Sequence, residues 1–212
     1  MEAVKPFYAS DKGAIYCGEA ETLLSAIELP AIATVITDPP WYGFAYASAV
    51  AVGHEQFKEL DDAMWLAHLY AFYVSWVPRL HQIVDYQSGR AWVFLGPYYL
   101  GAFTRVAKLS GWPMRLCWFE TEQEALCQFG RPTSTWMAEY VKQQFQQSIH
   151  PNIKEPSLLG AILRASGPGA VLDPFCGRGS TLVAAIERGC YAVGIEANPA
   201  LCSIAADALA AL

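Results

Sequence analysis

The sequence predicts an α/β fold, in which helices cover a mostly parallel β-sheet. Short apolar runs, which suit buried strands, alternate along the chain with longer helix-like segments. Hydrophobic residues make up 54% of the 212 residues and charged residues only 16%, so the chain can bury a sizeable core. A strand, a glycine turn and a helix follow one another between 170 and 188. Because this length suits one large domain, we predict that 1–212 forms a single domain.

Apolar runs bounded by turn residues predict the strands. In chain order they are 13–17, 31–37, 90–95, 114–119, 124–129, 170–173 and 190–195. The segments between them predict helices at 19–27, 61–79, 97–109, 156–166, 179–188 and 198–211. Asp61 or Asp62 is placed to cap the second helix, and Gly111 and Gly189 are placed to end two others.

Two long stretches, 42–60 and 130–150, lack a clear periodicity, although 134–147 is compatible with a helix. Stretches of this length in a compact domain are often lids or binding loops, and ordinary surface connection is the alternative. Both interpretations stay open for each stretch.

The charge balance argues against a protein that holds nucleic acid mainly through phosphate contacts. The chain has 20 acidic and 14 basic residues, a net charge of −6, whereas such proteins are usually basic. A local basic strip remains compatible with this balance. Its candidates are Arg131, Lys142, Lys154 and Arg178, although solvated surface charge is the favoured interpretation of each.

The cysteines and histidines predict neither disulfides nor a metal site. The six cysteines include no CxxC pair and several lie in apolar runs, which indicates reduced thiols and a cytoplasmic location. The four histidines lack metal-ligand spacing. The N-terminal residues do not have the pattern of a signal peptide, and no apolar run reaches the length of about 18 residues that a membrane span needs.

The most informative motif is Asp38-Pro39-Pro40-Trp41, which follows the apolar strand 31–37. Ligands of open α/β sheets bind where the strands end, so this motif lies at a predicted binding edge. Asp38 and the Pro39 carbonyl can each accept a hydrogen bond from a planar amine, while the prolines fix the backbone and have no N–H to compete. Trp41 offers a flat face on which a nucleobase can stack.

A second motif, Asp173-Pro174-Phe175-Cys176-Gly177-Arg178-Gly179-Ser180-Thr181, connects a predicted strand to a helix. Its glycines allow a ligand to approach the backbone closely. Glu196 follows about 20 residues later at the end of the next strand, which is where Rossmann-like folds place the acid that binds ribose hydroxyls. Leu182 stands where a dinucleotide loop would have its third glycine, so we predict S-adenosylmethionine rather than NAD.

Together the motifs resemble those of the amino-methyltransferases that methylate exocyclic amines in DNA. Asp38-Pro39-Pro40-Trp41 is similar to their catalytic Asp-Pro-Pro-Tyr or Asp-Pro-Pro-Trp, and the loop that begins at Asp173 is similar to their cofactor loop. His150-Pro151-Asn152-Ile153-Lys154 resembles the segment before that loop. The catalytic motif precedes the cofactor loop, as in the permuted, β-type group, and the similarity extends roughly from Ile15 to Ala208.

The resemblance implies a Rossmann-like methyltransferase with a seven-stranded sheet that contains one antiparallel strand. It places 13–17 beside 190–195, and 31–37 beside 170–173, so that both motifs share one site. It also implies the role of each candidate residue. The catalytic candidates are Asp38, Pro39, Pro40 and Trp41, and the candidates for binding S-adenosylmethionine are Glu19, Lys154, Asp173, Phe175, Gly177, Gly179, Ser180, Thr181 and Glu196.

Members of this group usually carry a sizeable target-recognition region before the His-Pro segment. Here only 131–149 remains for it, which predicts loose or short sequence specificity unless a second copy or a partner subunit supplies contacts. The candidate nucleic-acid contacts are Tyr42, Phe44, Tyr46, Arg131 and Trp136, for which ordinary packing or solvated charge is the alternative. The sequence also departs from the family at Glu155, where a proline usually follows the lysine.

The predicted reaction is methylation of the N6 amine of an adenine that is flipped out of the DNA duplex. The resemblance favours adenine because Asp at the first motif position is commoner in N6-adenine enzymes, and Ser in N4-cytosine enzymes. Three alternatives stay open: N4-cytosine in DNA, N6-adenine in RNA, and a non-catalytic cofactor-binding subunit that supports a partner.

Overall fold

The computed structural model describes residues 4–40, 62–84, 88–120, 124–147 and 156–212. The strands within these ranges are β1 (Tyr8–Ala9), β2 (Gly13–Cys17), β3 (Ile32–Thr37), β4 (Arg90–Leu95), β5 (Met114–Glu120), β6 (Glu124–Gly130), β7 (Ala170–Asp173) and β8 (Ala192–Glu196). The helices are α1 (Ala20–Ala26), α2 (Asp62–Ile83), α3 (Pro97–Leu109), α4 (Thr135–Gln147), α5 (Pro156–Ser166), α6 (Ser180–Ile186) and α7 (Pro199–Ala210).

These strands form a single mixed sheet in the order β1-β2-β8-β7-β3-β4-β6-β5. The five strands from β2 to β4 in this order are parallel, whereas β6 is antiparallel to both of its neighbours and β1 is antiparallel to β2. The predicted α/β class with a mostly parallel sheet is therefore confirmed. The expected neighbours are also found, because β2 pairs with β8 and β3 pairs with β7.

The expectation of seven strands with one antiparallel member was wrong, because the described residues form eight strands and two of them are antiparallel. The additional strand, β1, is only two residues long and pairs Tyr8 with Ile15. In the turn that joins it to β2, the Ser10 amide donates to the Gly13 carbonyl at 2.9 Å. A two-residue strand has too few positions to show an alternating pattern, so the sequence did not reveal it.

Two helical layers cover the sheet. On one face α1, α2 and α3 pack around a core that includes Trp76, and on the other face α4 to α7 pack around a core that includes Phe145. Each large apolar side chain that is fully buried contributes about 1.5–3 kcal/mol relative to exposure. The segment 134–147, for which a helix was an option, forms α4 over 135–147 and buries Met137, Ala138, Val141 and Phe145.

Helix α2 continues to Ile83, beyond the predicted end at 79, although it contains Pro78. A proline removes the hydrogen bond to the carbonyl four residues earlier, here that of Val74. Val74 lies on the exposed side of the helix, where water can replace that bond, while Leu80 and Val84 continue the buried side beyond the proline. Packing of this buried side outweighs the local signal to end the helix. Within the described residues, no helix combines the length and the apolarity that crossing a membrane requires.

Candidate active site

A cavity of about 400 Å³ opens at the edge of the sheet where β2, β8, β7 and β3 end, which is the binding edge of an open α/β sheet. We call it the catalytic-edge cavity. Five of the residues predicted from the sequence line it: Glu19, Asp38, Pro40, Phe175 and Glu196. The other lining residues are Ala20, Glu21, Phe72, Pro174, Ala197 and Leu201.

The first motif reaches this cavity directly from β3. Asp38 is the first residue after the strand and is half-buried, Pro39 is buried, and Pro40 is exposed at the lining. Because β3 pairs with β7, Asp38 lies beside the start of the glycine loop. The remaining residues of the motif and its aromatic extension, which are Trp41, Tyr42, Phe44 and Tyr46, lie outside the described residues.

The glycine loop turns sharply from β7 into α6. Gly177 and Gly179 have φ angles of 53° and 86°, a left-handed conformation that residues with a side chain rarely adopt. The loop is tied to β8 because the Cys176 amide donates to the Ile195 carbonyl at 2.9 Å. A Cβ atom on Gly179 would lie 3.1 Å from the Cβ of Ala205, so a side chain there would be tightly packed as well as conformationally strained.

Glu196 connects this loop to the start of α7. One carboxylate oxygen accepts a hydrogen bond from the Gly177 amide at 2.9 Å, and the other accepts from the Asn198 amide at 2.8 Å. A carboxylate oxygen can accept more than one hydrogen bond, so both oxygens retain capacity for ligand hydroxyls. The two backbone bonds therefore fix the position of a side chain that also faces the cavity.

Asp173 lies behind the cavity lining and is only 4% exposed. Burial raises the pKa of its carboxyl group to about 7, and the negative charge of Asp38 adds to the rise. Two kinds of hydrogen-bond donor oppose this rise in pKa. One is the Phe175 amide, which donates to the Asp173 Oδ1 at 3.1 Å, and the other is the pair of nearby hydroxyls of Thr181 and Thr37. The Thr37 hydroxyl makes no hydrogen bond of good geometry. The buried position of Asp173 thus favours the protonated form of its carboxyl.

The cavity is strongly acidic. Glu19, Glu21, Asp38 and Glu196 line it, and none of the lining residues that the structure describes is basic. Glu19 is the N-cap of α1, but its side chain makes no capping bond. A lining of this charge disfavours ligands that carry phosphates and suits a cation with hydroxyl groups. S-adenosylmethionine, with a sulfonium, an ammonium and a ribose, has this chemistry.

Two contributions to the lining did not emerge from the sequence. Glu21 lines the cavity, and one of its carboxylate oxygens is buried without a hydrogen-bond partner. In the sequence, only its position two residues after Glu19, in the first turn of α1, could have indicated that it lines the site. Phe72 comes from α2, distant in sequence, and its ring centroid lies 5.7 Å from that of Phe175. Trp76 also contacts the Phe175 ring, with centroids 5.0 Å apart.

The remaining cofactor candidates have different positions. Ser180 is the exposed first residue of α6, whereas Thr181 is buried near Asp173. Lys154, with the rest of the His150–Lys154 segment and Glu155, lies outside the described residues.

Arg131 and Trp136 lie at the opposite edge of the sheet from the cavity. Because β6 is antiparallel to β4, it ends where the parallel strands begin, and the Arg131 amide donates to the Gly89 carbonyl at 2.9 Å. Trp136 lies in the first turn of the helix that follows and is 71% exposed. The structure therefore does not bring these two nucleic-acid candidates together with Asp38.

Comparisons with known proteins agree with this arrangement. A family model described as DNA methylase, of the N6/N4 type, matches residues 119–207. TTHA0409 of Thermus thermophilus, a protein assigned as a DNA modification methylase, has the same fold with a TM-score of 0.63, 19% identity, and coverage of 93% of this chain and 94% of that one. It has also been solved in complex with S-adenosyl-L-methionine.

PvuII DNA methyltransferase, described as cytosine-N4-specific, matches with a TM-score of 0.69, 15% identity, and coverage of 96% of this chain and 88% of that one. M1.HpyAVI matches with a TM-score of 0.61, 17% identity, and coverage of 93% of this chain and 99% of that one. No curated protein matches the sequence. The family model and the shared fold confirm the predicted resemblance.

Proposed function

We infer that this chain, which the family model and the shared fold align with the S-adenosylmethionine-dependent DNA amino-methyltransferases, transfers a methyl group to an exocyclic amine of a base in DNA. The observation that carries the inference is the position of Asp38 in the same cavity as Glu196 and Phe175. An acceptor for a planar amine and the acids that suit a cationic cofactor thereby lie at the ends of neighbouring strands.

The residues of the cavity fit S-adenosylmethionine. When bound, this cofactor supplies a methyl group activated by a positively charged sulfur. Glu196 would accept hydrogen bonds from the ribose hydroxyls, and Phe72 and Phe175 give an apolar wall for the adenine ring. Glu19 is free of a capping bond and would accept a hydrogen bond from the adenine amine.

Asp38 and the Pro39 carbonyl would position the target amine and prepare it for reaction. The lone pair of an aromatic exocyclic amine is delocalised into the ring, and two hydrogen bonds to fixed acceptors draw the nitrogen toward tetrahedral geometry. Catalysis by such acceptors depends mainly on positioning and preorganised electrostatics. Asp38 need not be a strong base, since the product is acidic and loses its proton readily.

We propose adenine N6 as the target, on the basis of Asp at the first position of the catalytic motif. Cytosine N4 is the second candidate, because PvuII DNA methyltransferase, described as cytosine-N4-specific, has the same fold. Either base must leave the duplex to reach a cavity at the sheet edge. Three further expectations remain parts of this proposal. They are loose or short sequence specificity, a single domain with 131–149 as a minimal recognition insert, and a role for Lys154 in cofactor binding.

The test is to incubate the protein with tritiated S-adenosylmethionine and DNA and then to digest the DNA to nucleosides. Label in N6-methyldeoxyadenosine supports the proposal, and label in N4-methyldeoxycytidine replaces it with the second candidate. Asp38→Asn is the matched variant and should remove the label, while Asp11→Asn, an exposed acid in the turn before β2, should keep it. The absence of label with correctly folded protein that binds the cofactor would reject the proposal.

A further inference from the structure

Four basic side chains lie together beside β4, β5 and β6, at the end of the sheet where the parallel strands begin and opposite the catalytic-edge cavity. We call Arg105, Lys108, Arg115 and Arg131 the basic edge. Arg115 and Arg131 are adjacent because the Arg115 Nε donates to the Gly130 carbonyl at 2.9 Å. Arg105 and Lys108 belong to the last turns of α3, and the chain continues from there through Pro113 into β5.

A groove of about 970 Å³ lies along this surface. Its lining comprises Thr104, Arg105, Lys108, Leu109, Gly111, Trp112, Pro113 and Met114, and it contains no carboxylate among the described residues. The groove is continuous with the Arg115 and Arg131 pair, because the Gly130 amide donates to the Pro113 carbonyl at 3.4 Å. Basic groups therefore follow one connected surface around the corner of the sheet.

The charges of the basic edge are not neutralised by described residues. None of its four side chains makes an ion pair with a residue in the described ranges, where the recorded pair is Lys142 with Glu139. The sequence has no Asp or Glu between 86 and 119 or between 125 and 138. Arg131 even lies close enough to the buried Arg90 to lower the pKa of that guanidinium, after the larger effect of burial.

The chemistry of this surface matches a nucleic-acid backbone. Three of its four cations are arginines, whose planar guanidinium binds phosphate through two parallel hydrogen bonds. Trp136 stands five positions after Arg131 with an indole that is 71% exposed, which is a platform for stacking a base. An acidic peptide would satisfy the charges but has no base to stack on an exposed indole.

We propose that the basic edge binds the backbone of a second nucleic-acid segment while the catalytic edge acts on the first. The proposal rests on the proposed function, which makes DNA the substrate. The six residues of β4 separate the two edges by about 20 Å, at about 3.3 Å per residue. DNA is stiff over about 150 base pairs, so a short duplex at one edge does not bend around to the other. Holding two segments would let the protein pass directly from one to the next.

The test compares duplex binding, without cofactor, by the wild type and an Arg105→Gln/Lys108→Gln variant. The control is Lys5→Gln/Lys12→Gln, which removes the same charge from the β1 hairpin region. Fluorescence anisotropy with a labelled duplex of about 40 base pairs gives the slope of log K against log salt concentration. The edge variant should lower the magnitude of this slope by about 1.8, since each lost phosphate contact contributes about 0.9. The control should leave it unchanged.

A second measurement tests for two segments. Unlabelled DNA should accelerate dissociation of the labelled duplex from wild-type protein in proportion to its concentration, and this acceleration should disappear in the edge variant. An unchanged salt slope in the edge variant, or dissociation independent of competitor, would overturn the proposal. If polyglutamate but not unlabelled DNA displaces the labelled duplex from the basic edge, the proposal is overturned in favour of an acidic protein partner. These outcomes concern binding, so they are distinguishable from a failure of methyl transfer.

Discussion

The catalytic-edge cavity and the basic edge, at opposite ends of the strands, have opposite charge. Four carboxylates and no described cation line the catalytic-edge cavity, whereas the basic edge carries four cations that pair with no described acid. A cavity for a cationic cofactor and an attractive surface for a polyanion need opposite fields, and one small region cannot supply both. A net charge of −6 therefore describes neither region, and their separation along the strands allows one small protein to present both fields.

The largest effect is expected at Asp38. Asp38→Asn should reduce the rate of methyl transfer by about 10²–10³-fold, because it replaces a charged acceptor at the reacting centre by a weaker amide that can also present an N–H, and loss of one preorganised group there has about this cost. Cofactor affinity should fall by no more than about fivefold, the effect expected for one charge of the cavity lining, and the salt slope of DNA binding should change little. Single-turnover kinetics with tritiated cofactor measure the rate, and titration calorimetry measures the affinity. A variant that loses DNA binding together with activity would show that the two edges are not separable.

The second effect is the pH dependence that Asp173 gives to folding. Its folded pKa of about 7 is raised above the ordinary value of 3.8, so the fold favours the protonated carboxyl. The stabilisation is fully present below about pH 4 and is lost as the pH rises through about 7. A rise of this size corresponds to at most about 4 kcal/mol of unfolding free energy. Urea titrations should find this decline in the wild type and not in Asp173→Asn; equal pH profiles would contradict the assignment.

Asp38, Cys176 and Thr181 lie close to the Asp173 carboxyl, and of these three only Asp38 has a carboxyl group that can contribute in the same pH range. Burial holds the pKa of the Cys176 thiol well above its usual range, so that thiol stays neutral across this range. Repeating the titration in Asp38→Asn separates the effect of burial from that of the neighbouring charge. The decline should persist there with a slightly lower midpoint.

Two glycines with similar backbone angles differ in the space around them, so they should differ in their tolerance of alanine. Gly179 and Gly167 have φ angles of 86° and 83°, but a Cβ on Gly167 would meet nothing within 4 Å, while one on Gly179 would contact Ala205. Gly167→Ala should lower the unfolding free energy by about 1–2 kcal/mol through backbone strain alone. Gly179→Ala should lower it by about 1–3 kcal/mol more through overpacking. Equal losses in urea titrations would mean that the α6–α7 packing does not constrain the cofactor loop.

The smallest effect is expected at Glu21, a lining acid with an unpartnered oxygen. Glu21→Gln should weaken cofactor binding about fivefold, since one charge at several ångströms from a cation contributes about 1 kcal/mol in a wet site. Glu28→Gln, at an acid just after α1 and outside the cavity lining, is the matched control and should leave the affinity unchanged. Unchanged affinity in both variants, measured by titration calorimetry, would mean that the acidity of the cavity is not used for the cofactor.

The sequence was sufficient where the signal is local or where two motifs share an edge. The bounds of β2, β4, β7, α3 and α5 agree with the prediction, because each combines an apolar pattern with clear flanking residues. The adjacency of β3 and β7 followed from the order of the motifs. Asp38, Glu196 and Phe175 could therefore be assigned to one cavity from the sequence alone.

The features that the sequence missed depend on tertiary packing. Phe72 reaches the cavity only because α2 crosses the sheet at that point, and nothing local distinguishes it from the other buried aromatics of α2. Arg131 and Trp136 were grouped with the catalytic motif as nucleic-acid candidates, yet the direction of β6 carries them to the other edge. A residue type indicates what a side chain can bind, whereas strand direction decides which ligand it meets.

The two hydrogen bonds of the Glu196 carboxylate have a consequence for the thermodynamics of ligand binding. They hold the Gly177 and Asn198 amides in place through the protein itself, so this part of the loop is already ordered before a ligand arrives. A ligand then loses little free energy to ordering the chain, and the heat-capacity change of binding reflects the surface it covers rather than coupled folding. Both amides should accordingly exchange slowly with deuterated water in the free protein.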